Sequence, residues 1–426
     1  REPMKRTNRW WIAVMGALLQ MCLGAVYAWS YFQKPIVDAC GWRHTQVALT
    51  FSLAIGFLGL AAAGGGLCLQ RFGPRKLAIT GSLLYGAGYL LAGLALKWQS
   101  LPLLWAGYGV IGGIGLGLGY VTPVATVARW FPDRKGLVTG MVVMGFGLGA
   151  LVMSKLIAPF LDVAFNHDLS WVFAGAGMIV GGIGFFAAVF LQNPPSPVTQ
   201  VRRTNETKPQ LLILIGSKQF VLMWLIFFCN ITAGIALIGF QSPLLQDLWK
   251  KEDPTQSPAA LAAAGATLIA VSSICNGLGR IIWGAWSDRI GPLAAFRVML
   301  ATQVAAFCVL MTVQSPWLFG GLVCYVLLCY GGGFGVMPAF VLNAFGLRLM
   351  PVMYGAILTA WSCAGIAGPQ LIAQLKDHPG INISLYAFGL CAAILTLGFL
   401  LALSLRSQAT CMGVIANRRN AGGREV

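Results

Sequence analysis

Charge is what this sequence has least of. Only 10% of its 426 residues are Asp, Glu, Lys or Arg, against about 25% in soluble proteins. With 58% hydrophobic residues and a mean hydropathy of +0.76, that deficit excludes a soluble enzyme. Histidine is nearly absent: His44, His167 and His378 lie outside the apolar runs and form no ligand cluster. No C-x-x-C pair offers metal-ligand spacing, so no metal and no cofactor are expected. Cys22, Cys68, Cys229, Cys275, Cys308, Cys324, Cys329, Cys363 and Cys391 fall inside or at the edge of apolar runs. They read as small packing residues rather than a disulfide framework. The 54 glycines follow no period, which points to close helix packing in lipid rather than to disorder.

What is there is a series of apolar runs of membrane length, about 20 residues or more each. The first six are Trp10–Phe32, Thr45–Leu69, Lys76–Leu96, Leu101–Ala128, Gly136–Phe160 and Trp171–Leu191. Six more are Leu211–Leu245, Pro258–Trp286, Leu293–Val313, Pro316–Phe345, Met350–Leu375 and Ile383–Leu405. The first is too long for a cleaved leader and ends on no small-residue cleavage pattern. The sequence thus predicts an all-α membrane protein with twelve transmembrane helices.

The basic residues set an expected orientation. With both termini on one side, that side holds 21 of the 29 Lys and Arg and 5 of the 12 acids. The other side balances 7 of each. By the positive-inside rule the termini are cytoplasmic and the protein is a multi-pass protein of the cell membrane. Of the +17 net charge, +16 is then topology, and no nucleic-acid partner is implied.

The two halves repeat. Gly66-Leu-Cys-Leu-Gln70-Arg71-Phe72-Gly73-Pro74 follows the second run, and Gly284-Ala-Trp-Ser-Asp288-Arg289-Ile290-Gly291-Pro292 follows the eighth. The predicted organisation is a six-helix half over 1–192, a linker over 193–210, a second half over 211–405 and a tail over 406–426. Parallel six-helix repeats put a substrate site at the midplane between them. Glycine and proline make a tight turn at each copy, and Asp288 is placed to cap the start of helix 5 near Gly136 as a gate latch. Arg289, Gln70 and Arg71 complete the gating set.

This pair of turns resembles the loop signature of the major facilitator superfamily, which implies that fold over the whole chain. Gln70 departs from it, since the first copy usually carries Asp. A second stretch, Trp130-Phe131-Pro132-Asp133-Arg134-Lys135-Gly136 running on to Gly145, Gly147 and Gly149, resembles the helix 4–5 signature of the monocarboxylate transporter family and of the oxalate/formate antiporter branch. Asp133 stands where the monocarboxylate pattern has a basic residue. In helix 1, Tyr27-Ala28-Trp29-Ser30 with Pro35 is similar to the antiporter branch, and Lys34 lies near where some monocarboxylate carriers have a lysine.

Arg280 is the one cation that belongs to neither face, and no acid shares its run. A guanidinium at such depth costs at least about 2.5–3.5 kcal/mol, so it should face a cavity and a partner. A carboxylate substrate fits, because it matches the guanidinium fork in bidentate geometry. Asn276 lies one turn earlier on the same face. The family resemblance agrees: N-x-x-x-R matches the antiporter branch, whose arginine binds substrate carboxylate, whereas many monocarboxylate carriers have Asp at the Asn276 position.

The resemblance further implies pocket roles for Tyr120 on helix 4 and for Tyr330 and Phe334 on helix 10. Phe146, Tyr27 and Tyr31 are further candidates. The oxalate exchanger pattern places a second cation, a lysine, on helix 11; aligned on Gly365-Ile366-Ala367-Gly368, that position is Trp361. One cation suits one carboxylate. The expected function is therefore secondary transport of small monocarboxylates such as lactate, pyruvate or propionate by alternating access, with a proton as co-substrate. Asp38, Lys34, Asp377 and His378 are the proton-coupling candidates. The alternatives are an anion exchanger of the oxalate/formate type and a transport-dead carboxylate sensor.

Overall fold

The computed structural model of the chain describes residues 8–131, 135–194, 214–378 and 382–405. Among these residues, twelve helices are long and apolar enough to cross a membrane. They are α1 (Arg9–Cys40), α2 (His44–Leu69), α3 (Pro74–Lys97), α4 (Leu101–Val127), α5 (Val138–Ala164) and α6 (Leu169–Val189). After the linker come α7 (Lys218–Glu252), α8 (Pro258–Ile290), α9 (Pro292–Leu310), α10 (Pro316–Gly346), α11 (Val352–Lys376) and α12 (Ile383–Ser404). An even number of crossings puts the start of α1 and the end of α12 on one face, here the terminal face; the opposite is the distal face.

Helix ends depart from the hydropathy reading wherever a cap or an amphipathic extension decides them. Helix α7 begins at Lys218 rather than Leu211, because Ser217 caps it by accepting from the Phe220 N–H; residues 211–213 are outside those described. Both α1 and α7 run past their apolar cores on the distal side, to Cys40 and Glu252, where a left-handed Gly41 (φ +67°) ends α1. Most of the predicted linker and the whole tail are likewise outside the described residues.

The two Gly-Pro turns adopt matching conformations. Gly73 has φ 78° and ψ 164°, Gly291 has φ 86° and ψ 148°, a left-handed region that favours glycine. Pro74 and Pro292 then open α3 and α9 as first residues, where their missing N–H is harmless. Packing follows the same repeat: α3 lies on α6 as α9 lies on α12, and α2 meets α11 as α8 meets α5. Adding six to each helix number maps this pattern onto itself. The most buried spans are α1, α4, α7 and α10, which form the centre, with α3, α6, α9 and α12 outside.

Helices 1–6 and 7–12 meet on the distal side through polar contacts. Lys155 donates to Thr267 Oγ1 at 2.8 Å, and Gln370 Nε2 to the Thr45 carbonyl at 3.2 Å. Ser273 of α8 reaches α5, donating to the Gly147 carbonyl (2.5 Å) and accepting from the Leu151 N–H (3.1 Å). Asp377, just past α11, caps α2 across the interface: it accepts from the N–H groups of His44 (2.8 Å) and Thr45 (3.0 Å) and from Thr45 Oγ1 (2.6 Å).

Partial burial raises the Asp377 carboxyl, but the bonds from Thr45 and His44 outweigh it and hold the group below its ordinary value of 3.8. A depressed carboxylate contributes stability at pH values above its unfolded pKa and loses it as pH falls through the folded one. The cap is thus intact at neutral and mildly acidic pH and fails only in stronger acid. Asp377→Ala is expected to cost about 1 kcal/mol, a typical N-cap loss, or roughly fivefold in the closed-to-open ratio of the distal side. Distances between spin labels on the distal ends of α2 and α11 check it; an unchanged distribution would mean that the cap does not hold the interface.

Candidate functional site

Arg280 sits ten residues from the end of α8 and is only 1% exposed. Its backbone is pressed against α10, for a β-carbon at Gly335 would lie 2.2 Å from the Arg280 carbonyl oxygen, and one at Gly331 2.0 Å from that of Asn276. Only glycine permits that approach. It carries the α8 side chains at 276 and 280 and the α10 side chains at 330 and 334 into one space.

That space is an aromatic cage drawn from both sets of six helices. The Arg280 guanidinium lies 5.1 Å from the Phe334 ring centre and 5.8 Å from that of Phe146, within cation–π range. Trp361 is the hub. Its ring stands 4.6 Å from Phe334, 5.2 Å from Tyr120, 5.7 Å from Phe146 and 6.3 Å from Tyr27. Tyr27 and Tyr330 join across the interface by a hydroxyl–hydroxyl bond of 2.7 Å.

The electrostatics are one-sided. Arg280 Nε, Nη1 and Nη2 are buried without a hydrogen-bond partner among the described residues, as are the Tyr120 hydroxyl, Asn276 Oδ1 and Trp361 Nε1. No carboxylate joins the cage among the described residues, and ring faces satisfy a guanidinium only weakly, at about 0.5–2 kcal/mol. The arrangement is a buried, closely packed and positively charged cluster rich in donors. It is chemically suited to hold an anion with acceptor oxygens.

The cage unites Arg280, Asn276, Tyr120, Tyr330, Phe334, Tyr27, Phe146 and Trp361, but it does not include Tyr31. That ring is half-buried against Phe32 and faces Asp162. The 3₁₀ turn over Ala25–Ala28 advances the helix by about 120° per residue instead of 100°, so Tyr27 and Tyr31 do not share the face that a regular i, i+4 pair would. Two buried hydroxyls on α11 were not singled out from the sequence and are also unpartnered among the described residues, those of Tyr354 and of Ser362; the Ser362 hydroxyl faces Gly59 of α2 rather than the cage. Tyr354 is 3% exposed although it lies in the first turn of its span. A phenol at a span end, just past a glycine kink at Gly346 (φ 76°), was the available signal.

The remaining candidates lie at the two faces. Lys34 and Asp38 pair with each other on the exposed distal end of α1. His378 Nδ1 bonds the Gln374 carbonyl at 2.7 Å, and Asp377 is the cap described above. Asp288, Arg289 and Arg71 are exposed at the terminal face. Asp288 makes no ion pair to a described residue; residues 132–134 and the Gln70 side chain are outside the described residues.

Known proteins share this architecture. In solved structures, a bacterial homologue of the human lysosomal transporter Spinster, inward-facing and unoccupied, superposes with a TM-score of 0.67 at 15% identity, covering 95% of this chain and 100% of that one. The transporter FucP in its outward conformation gives 0.63 at 16% identity, covering 93% and 100%. In sequence, the chain is 27% identical over 389 residues to an oxalate:formate antiporter of Oxalobacter formigenes, covering 88% of this chain and 87% of that protein. It is 25% identical to apicoplast pyruvate carrier 1 of Toxoplasma gondii (92% and 89% covered) and 24% identical to monocarboxylate transporter 13 of Bos taurus (87% and 83%). The family model of the Major Facilitator Superfamily matches residues 10–369. With twelve spans in that fold, the chain belongs to the Major Facilitator Superfamily, a family of multi-pass membrane transporters rather than enzymes.

Proposed function

We propose that this transporter moves small monocarboxylates of the lactate, pyruvate or propionate type by alternating access. The halves at 1–192 and 211–405 would rock about the Arg280 cage, with Asp288 latching the terminal, cytoplasmic face when it closes. One observation carries the reading: a single buried guanidinium, unpartnered among the described residues, in a cage with no second cation among them. The printed names of three relatives, an oxalate:formate antiporter, a pyruvate carrier and a monocarboxylate transporter, share a carboxylate substrate and support it. A second carboxylate in this cage would be desolvated without a charged partner, which is costly.

Lactate-sized monoanions are therefore expected to compete for uptake, and oxalate and succinate to compete poorly. Radiolabelled lactate uptake into proteoliposomes reads this directly; equal competition by oxalate sinks the single-cation argument.

A second reading, anion exchange, draws on where the acids are. Every carboxylate among the proton-coupling candidates lies at the distal face, and Asp377 is held below its ordinary value rather than raised toward neutrality. A carrier whose unpaired Arg280 must cross alone would reorient slowly, which favours exchange. Uptake driven by an imposed pH gradient without internal anion supports symport; uptake requiring internal anion supports exchange.

A further inference from the structure

One buried amide grips the backbone of a cage residue without being part of the cage. Gln20 of α1 and Tyr120 of α4 are both fully buried, and Gln20 Nε2 donates to the Tyr120 carbonyl at 2.8 Å. The bond lies in the middle of a tight seam. A β-carbon at Gly16 would lie 3.3 Å from Pro123 Cβ, and one at Gly119 would lie 2.7 Å from Leu23 Cδ1. Residues 16, 20 and 23 follow at helical spacing, so one row of α1 holds α4. The same helix carries Tyr27, about two turns beyond Gln20, into the cage.

Neither packing nor backbone repair accounts for a glutamine here. Pro123 lies inside the helix and has no N–H, so the carbonyl it deprives of a helical partner is that of Gly119, four residues back. Gln20 bonds the next carbonyl instead, one that its own helix can pair with the Val124 N–H. Such an interhelical bond adds little stability in a membrane. Gln20 Oε1 meanwhile is buried without a partner among the described residues, a cost that leucine or methionine would not carry. As a packing residue the amide is a net loss.

What the bond does hold is Tyr120. That ring stands 5.2 Å from Phe146 and 5.2 Å from Trp361, and its hydroxyl has no partner among the described residues. The hydroxyl is the far end of a stiff lever, and the root of that lever is the backbone that Gln20 grips, just before the Pro123 break. We propose that Gln20 is a positioning residue for the anion site. It fixes the Tyr120 backbone against α1, so that the phenol is aimed before the anion arrives. The inference rests on reading Arg280 as the carboxylate site, with Tyr120 donating to the same anion. Gln20 itself touches no anion, and its effect passes through Tyr120.

The test measures lactate binding to the full chain in nanodiscs for the native protein, Gln20→Met, Tyr120→Phe, the double variant and Arg280→Gln. Methionine matches glutamine in length and lacks the donor. Its introduction should weaken binding about threefold to tenfold and leave the unliganded melting temperature unchanged or higher. In the Tyr120→Phe background the same substitution should change affinity by less than about twofold. Native affinity in Gln20→Met, native affinity in Tyr120→Phe, or an equal loss on both backgrounds overturns the assignment; with binding lost in Arg280→Gln, the Arg280 reading still stands. Gln20→Leu repeats the measurement with a second side chain. A lowered melting temperature in both replacements, or failure of both to fold, also overturns it, since the bond would then be structural. If lactate does not bind the native chain, or binds Arg280→Gln normally, the Arg280 reading itself falls and takes this inference with it.

Discussion

Arg280→Gln is expected to abolish measurable lactate binding while the protein still folds. Removing one partner of a buried charged pair costs about 3–5 kcal/mol, or roughly two to three and a half decades in affinity. A carrier of micromolar to millimolar affinity has no such reserve. Arg280→Lys keeps the charge but loses the planar fork, and its ammonium is shorter and more tightly hydrated, so rescue should be partial. The variant also isolates cause, because the guanidinium makes no hydrogen bond to a described residue that its removal would break. Binding by calorimetry, with folding checked by size-exclusion and melting, decides. Normal transport by Arg280→Gln means that the anion sits elsewhere, and the central assignment fails.

Trp361→Lys should produce the second-largest change, and in the opposite sense for two ligand classes. Trp361 lies within 4.6–6.3 Å of four cage rings, so its loss strips the apolar wall against which a short alkyl chain would rest. Lysine is smaller and does not overfill the space. Its ammonium would instead place a second cation across the cage from Arg280, unpaired until a dianion enters. Lactate affinity should fall at least about tenfold, the cost of exposing one large apolar contact. Oxalate should change from a poor competitor to an effective one. Competition curves for both anions on one protein preparation read the switch; oxalate remaining inert in a folded Trp361→Lys protein would argue that charge number is not what this cage selects on.

Arg280 was legible in the sequence because a lone cation inside an apolar run has few innocent explanations, and the structure places it in a buried cage with Asn276, Tyr120, Tyr330 and Trp361. The fold was legible for a related reason: hydropathy and the two Gly-Pro turns report on the solvent, and the bilayer is a demanding one. What stayed hidden depends on local geometry that composition does not encode. Ser217 moved the start of α7 through a single cap, and a 3₁₀ turn rotated Tyr31 off the cage face. Tyr354 drew no attention in the sequence because it sits in the first turn of its span, yet it is only 3% exposed. Asp377 has a contact that its residue type alone does not announce. An acid at a span end reads as a proton-coupling candidate by type, and its three donors from α2 add a capping role across the interface.

The Ser273 hydroxyl bears on how such a protein can move in oil. It sits at the rung of α5 between the Gly147 carbonyl and the Leu151 N–H and touches both. Those two groups are four residues apart and are each other's natural helical partners. When the halves separate on the distal side, the serine can leave and the rung close on itself, so no amide is stranded in hydrocarbon. This contact is thereby one whose backbone groups α5 can satisfy alone. A bond of that kind holds while formed and parts without leaving an amide unpaired in hydrocarbon, which suits a seam that a carrier must open and close.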